Sequence, residues 1–388
     1  MTDEIGNTPT PVETLDPERQ QKAKEYARIG RRIFIAELVF GAVYVLFWIF
    51  SGLSPWLRDQ IYTVTQATWL AVPLFAIGFG LPYMILTAPL SYYSGYVLPH
   101  KYEQSKQSLG EWLKDQAKGL LISGVLGLIV LEILYALMGF APQTWWLWAA
   151  LVMLLFTVLL SNLAPVLIFP LFYKYKPLED EELVTRLTRL AEQAGAHIKG
   201  VFVFDMSSKT VAANAAVMGL GNTRRIVLGD TLIEKFSADE IETVLAHELG
   251  HHVHKDLTWG ILVQSTITLF GFWLADLIMR WGIDAFGYYN LTDPATLPLL
   301  IVALTIYGLV TMPLSNGWSR WREVKADTYA LETTHNPDAF MSAMTRLANQ
   351  NLADTDPPPL VEFYLHSHPS ISKRVAMAEA YKIRVGNP

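Results

Sequence analysis

Six apolar runs govern what this chain can fold into. They cover residues 33–53, 65–90, 119–140, 145–172, 257–278 and 297–314, each close to the roughly 20 residues that carry a helix across a bilayer. In lipid, backbone amides must be paired within the spanning structure itself, so runs of this length become helices. Composition points the same way. Of 388 residues, 52% are hydrophobic and 17% charged, too apolar for an ordinary soluble chain. Twelve Trp and 17 Tyr supply anchors for two water–lipid boundaries. Residues 1–20 are polar and acidic and read as disordered; with the next ten they form a cytoplasmic tail over 1–30, not a signal peptide.

The basic residues orient the spans. With the N-terminus in the cytoplasm, the outer loops are 54–64, 141–144 and 281–296. Of 30 Lys and Arg, only Arg58 falls in them and Arg280 sits at the rim, a strong positive-inside bias. The expected organisation is a four-span region over 31–172, a cytoplasmic module over 173–256, spans five and six over 257–316, and a C-terminal segment over 317–388. Both termini and the module then face the cytoplasm. Within the module, 181–195 has the pattern of an amphipathic helix. Gly200-Val-Phe-Val-Phe-Asp205 and Arg225-Ile-Val-Leu-Gly229 have that of short strands. The fold class is mainly α: a polytopic membrane protein carrying a small cytoplasmic α+β module.

The chemistry concentrates in His247-Glu248-x-x-His251. Residues four apart share a helical face, so both imidazoles can reach one metal ion. Glu248 lies beside them, placed to take a proton from a water that the metal activates. Ser237 and Glu240 form a capping box, and Ile241, Val244, Leu245 and Leu249 make an apolar stripe, so the segment is a helix. It leads directly into span five, which puts the metal near the inner membrane face. His252 and His254 fall out of register and read as solvent-facing or membrane-surface residues. The chain has no cysteine, so a metal must use imidazole and carboxylate ligands. A net charge of -6 without a basic run gives no footprint for nucleic acid.

A third ligand is needed. Glu323, in Trp321-Arg-Glu-Val-Lys-Ala-Asp327, is the best candidate, with Asp327 one turn on to hold a ligating histidine by its second nitrogen. The same spacing also describes a solvated charged helix, since Arg322 and Lys325 stand alongside. His366-Ser-His368-Pro369, followed by Arg374, offers groups that can stabilise an oxyanion; a proline-ended surface loop is the equal alternative. Glu37, Glu132 and Asp276 fall inside spans, where a carboxylate must face protein or water or reach a span end.

These motifs, in order, carry a resemblance. The run Ala212-Ala-Asn214-Ala-Ala-Val-Met-Gly-Leu, then Arg225-Ile-Val-Leu-Gly-Asp-Thr-Leu232, then His-Glu-Leu-Gly-His-His, Glu323-x-x-x-Asp327 and His366-Ser-His-Pro resemble the integral-membrane zinc proteases of the type 1 CAAX prenyl endopeptidase family, within the gluzincin superfamily that includes HtpX. The similarity runs from about residue 30 to Arg374. It implies one Zn2+ per chain held by His247, His251 and Glu323, with Glu248 as general base. It also implies Asp327 behind a ligand, His368 assisting the oxyanion, and Asn214 and Arg374 holding substrate. Family members enclose a water-filled chamber between their helices, which Glu132 would suit. The chain lacks the further N-terminal span usual in eukaryotic members and has His252 where they often have Trp, pointing to a bacterial-type plasma membrane.

The implied function is a membrane zinc endopeptidase acting on membrane-anchored, C-terminally prenylated peptides. The alternative is a broad HtpX-like quality-control protease, although that type has two spans before its metal motif and this chain has four. A site-2-type protease would place the motif inside an apolar span, and a metal transporter would need ligands at mid-membrane. A scaffold retaining a structural zinc would have no need of Glu248.

Overall fold

The computed structural model describes residues 13–219 and 224–386. The expected tail over 1–12 and the last residue of the Ala212–Leu220 run lie outside them. Long helices dominate: α1 (Pro17–Phe50), the short α2 (Leu53–Tyr62), α3 (Thr68–Tyr92), which continues through a π-turn into α4 (Leu98–Lys101), α5 (Leu109–Phe140) and α6 (Trp145–Leu163). The module follows, with β1 (Tyr175–Pro177), α7 (Glu181–Gln193), β2 (Val201–Phe204), β3 (Ala215–Met218), β4 (Arg225–Gly229), α8 (Asp230–Lys235) and α9 (Ala238–Val253). Then come α10 (Asp256–Phe286), α11 (Leu297–Thr334), α12 (Pro337–Gln350), α13 (Pro359–Leu365) and α14 (Ile371–Gly386). Among the described residues six helical segments are long and apolar enough to cross a membrane, four before the module and two after.

The N-terminal boundary differs from the expectation. Residues 17–30, expected as tail, form the first turns of α1. Asp16 caps the helix, accepting from the amides of Glu18 and Arg19. The segment docks on the C-terminal part of the chain. Arg19 Nε donates to the Asn349 carbonyl at 2.6 Å, and Gln20 Oε1 accepts from Thr355 Oγ1 at 3.0 Å. Polar composition reads as disorder because these partners are more than 300 residues away.

The module is a four-stranded sheet in the order β1-β2-β4-β3. β2 and β4 are parallel, Val201 opposite Ile226, and both outer pairs are antiparallel. Ile226, Val227 and Leu228 are fully buried in the central β4, as expected for a strand covered on both faces. α7 and α9 pack their apolar stripes into the same core through Leu183, Leu187, Leu190, Ile241, Leu245 and Leu249. Burying each leucine contributes roughly 2 kcal/mol. β3 lies at the sheet edge, so its outer backbone edge pairs with no strand among the described residues.

α11 ties the module to the membrane. At 38 residues and 1.5 Å per residue it is about 57 Å long, well beyond the roughly 30 Å of hydrocarbon. Its first part packs against α10 in the bundle, and its last turns pack along α9. Gly250 permits that approach: a Cβ there would sit 2.9 Å from Ala326 Cα, so any larger residue would push the helices apart.

Candidate active site

Ser237 caps α9, with its hydroxyl accepting from the Glu240 amide and Glu240 Oε2 accepting from the Ser237 amide at 2.7 Å. The other Glu240 oxygen accepts from Ser342 Oγ at 2.6 Å and Arg346 Nε at 3.2 Å. The capping carboxylate thus also anchors α12 to the start of the metal-motif helix. Two turns on, His247 and His251 point across Gly250 at α11, where Glu323 and Asp327 share the facing stripe.

Glu323 is the hub. Its Oε2 lies 3.2 Å from His247 Nε2, and its Oε1 lies 3.5 Å from His251 Nε2 and 3.3 Å from His368 Nε2. Oε2 is buried and accepts no aligned hydrogen bond. Ligand atoms about 2.1 Å from a tetrahedral ion stand roughly 3.4 Å apart, which is the spacing seen here. The two imidazoles and the carboxylate, mutually within 4.8 Å, therefore fit a divalent metal of the zinc type. An orphaned carboxylate oxygen is what a bound cation would satisfy.

Both histidines are held from behind. Asp327 accepts from His247 Nδ1 at 2.7 Å and is itself gripped by Arg374, whose Nε donates to Oδ2 at 2.8 Å. Asp327 is fully buried. The sequence pattern singled out Asp327 for such a role, whereas the family resemblance gave Arg374 to substrate; here the guanidinium is engaged with Asp327 while still lining the cavity. His251 Nδ1 pairs with Asp256 at 2.8 Å, and Arg322 donates both to Asp256 and to the His254 carbonyl. Asp256 was not foreseen. The sequence reads as one helix running into span five, but Lys255 takes φ +54° and α10 starts afresh at Asp256. That break turns the carboxylate back toward His251. The signal available was an acid five residues after His251, placed where a helix boundary needs an N-terminal carboxylate.

Burial and charge set the protonation of the metal-free cluster. Burial works to lower the His247 pKa, but the Asp327 and Glu323 carboxylates outweigh it and hold it at about 9. His251 is lowered, by burial first and then by the neighbouring His247. Glu248 is raised because burial outweighs the pull of the two histidines, which suits a base that must take a proton from water. His368 is lowered by burial against the opposing pull of Glu323.

Beside the cluster is a cavity of about 160 Å³, bounded by His247, Glu248, His368, Arg374, Asn214 and Ala215. Asn214 is exposed and directly precedes β3, with its carbonyl accepting from Gly229 N at 2.9 Å. The start of the edge strand β3, Asn214 and Ala215, thus lines the cavity. All eight residues singled out from the sequence converge on this one place.

Comparison with known proteins bears on the family and the fold. The profile described as peptidase family M48 matches residues 177–382. The chain belongs to that family. The profile described as the CAAX prenyl protease N-terminal region, with five membrane helices, matches residues 6–174. In that stretch this protein has four spanning helices and the ten-residue α2. The Bacillus subtilis metalloprotease YhfN is 31% identical over 96% of this chain and 88% of its own. CAAX prenyl protease 1 of Saccharomyces cerevisiae is 29% identical over 95% and 87%. The crystal structure of S. mikatae Ste24p superposes with a TM-score of 0.85 at 26% identity, covering 94% of this chain and 90% of that one. This M48 protein is therefore an integral, multi-pass membrane metalloendopeptidase that acts on peptide or protein substrates.

Proposed function

We propose that this M48 peptidase uses one Zn2+ to cleave membrane-anchored peptides with prenylated C-termini, at the cytoplasmic face of a bacterial-type plasma membrane. His247, His251 and Glu323 would hold the ion, which when bound supplies Lewis-acid polarisation of the scissile carbonyl and acidifies the attacking water. Glu248, bordering the cavity and made more basic by burial, takes that water's proton and returns it to the leaving amine. His368 reaches over the cavity to stabilise the oxyanion. Asp327 fixes the tautomer of His247, and Arg374 balances the Asp327 charge. The substrate backbone adds as a strand to the free edge of β3, with Asn214 and Arg374 fixing its register.

The observation that carries this reading is the Glu323 carboxylate, with one oxygen orphaned beside His247 Nε2 and the other beside His251 Nε2, next to a basic carboxylate and an edge strand. The prenyl requirement rests on the kinship with CAAX prenyl proteases, and the lysine and arginine asymmetry supports the cytoplasmic placement. Purified protein in detergent, offered one peptide with and without a C-terminal farnesyl cysteine, tests it by mass spectrometry of the products. The expected result is cleavage of the farnesylated peptide near its modified cysteine, with Glu248→Gln slower by about a thousandfold while retaining metal. Equal cutting of both peptides would remove the prenyl requirement and favour the broad quality-control reading. Undiminished cutting by Glu248→Gln would overturn the mechanism.

A further inference from the structure

Away from the catalytic cavity, α1, α11 and α13 enclose a groove of about 510 Å³. Its floor and walls are apolar: Leu309 and Met312 from the membrane part of α11, Leu360 and Tyr364 from α13. Its mouth is strongly basic. Arg28, Arg31 and Arg32 line it from α1, and Ile35 follows on the same face. The spacing i, i+3, i+4, i+7 is one helical stripe, so three guanidiniums and an apolar side chain face one slot. Seven residues of helix rise about 10 Å, which takes the stripe from headgroup depth into hydrocarbon.

Among the described residues no carboxylate lies within salt-bridge distance of the three arginines, and Glu362 on α13 is committed to Lys373. The far wall is also a built element. Arg320 on α11 donates to the carbonyls of Glu362 at 2.9 Å and His366 at 2.6 Å, and Asn316 donates to that of Tyr364. α13 is thereby pinned along the membrane boundary, yet Leu360 is 74% exposed and Tyr364 48%. A free apolar surface this large on a pinned helix calls for a partner, and the charge above it names the chemistry.

We propose that this groove binds an anionic phospholipid, its phosphate on Arg28, Arg31 and Arg32 and one acyl chain along Met312 and Leu309 beneath α13. Bulk zwitterionic lipid would fill the slot but leave three arginines uncompensated; a basic pocket between spans at the interface selects anionic headgroups. The lipid has a consequence for the site. α13 leads within three residues to His368, so a lipid bracing α13 also steadies the loop that places that imidazole over Glu323.

The test uses full-length protein in mixed micelles of phosphatidylcholine and phosphatidylglycerol, with retained lipid counted by native mass spectrometry. Wild type should retain phosphatidylglycerol in preference to phosphatidylcholine. The triple variant Arg28→Gln, Arg31→Gln, Arg32→Gln should lose that preference by about tenfold or more, since each cation near a membrane surface contributes roughly fivefold. Met312→Trp, which fills the groove without touching a charge, should also lose the bound lipid. The control Lys101→Gln, Lys106→Gln, Lys114→Gln removes as much charge from the segment joining α4 and α5 and its flanks, and should change nothing. Thermal unfolding in pure phosphatidylcholine micelles checks that each variant is folded. The idea fails if the arginine triple variant keeps its preference, if the lysine control loses as much, or if Met312→Trp retains the lipid. Displacement by millimolar inorganic phosphate would likewise sink it, since the acyl chain is part of the site.

Discussion

Two buried charge clusters sit at opposite ends of the bundle, and they are built on contrasting principles. At the end far from the peptidase module, Arg58 donates to Asp293 at 2.7 Å and to Asp59 at 2.9 Å, with its guanidinium 3.9 Å from the ring centre of Tyr289. Asp293 also accepts from the amides of Tyr289 and Ala295. Both of its oxygens are occupied. At the other end, Glu323 is also buried, yet it faces three imidazoles and leaves one oxygen without an aligned donor. The first cluster closes a loop. The second leaves one buried carboxylate oxygen beside His247 without an aligned donor. Buried charge alone does not mark function; buried charge left unsatisfied beside a cavity does.

That contrast can be broken from the satisfied side, where the largest stability effect is expected. Asp293→Ala would leave buried Arg58 with only the half-exposed Asp59 as partner, a change of up to about 3–5 kcal/mol for breaking a buried pair. Thermal unfolding in detergent should fall clearly, while metal bound per folded chain and cleavage per metal stay at wild-type values. If metal content falls in parallel with stability, the two ends are not independent.

The sequence made the two ends unequally legible. Spans are written in runs of apolar residues, and the metal helix in a capping box with two histidines four apart; both are local signals. Glu323 and Asp327 are local to each other, so their shared face was readable, though not whether it met the histidines. Contacts across distance were not readable. Arg374 meets Asp327 from 47 positions away, and the polar start of α1 finds partners only when the C-terminal segment folds over it. Asp256 was hidden for another reason: its approach to His251 depends on Lys255 adopting a left-handed backbone, which lysine does not advertise.

Asp256 therefore sharpens the comparison at intermediate size. Asp256→Asn keeps the shape but removes the charge that holds His251 Nδ1, and losing such a partner typically weakens metal affinity by 10–100-fold. Competition with a fluorescent chelator should show that loss without a matching fall in the metal-free melting temperature. An unchanged affinity would mean that Arg322, not His251, is the real partner of Asp256.

The smallest effect per step is a proton. In the metal-free site His247 is held at about 9, above its ordinary 6.5, so at neutral pH it carries a proton that an incoming metal must displace. His251 is shifted downward and is already neutral, so one proton leaves rather than two. Apparent metal affinity should therefore rise about tenfold per pH unit up to pH 9 and then level off. Stability of the metal-free protein should run the opposite way. A raised folded-state pKa contributes fully below 6.5 and is lost as pH climbs through 9, so the melting temperature should sag over that window as affinity grows. Paired chelator titrations and melts from pH 6.5 to 9 check both trends. A flat affinity would mean that His247 carries no proton to displace, and that the inner cluster is as settled without metal as the Arg58–Asp293 pair.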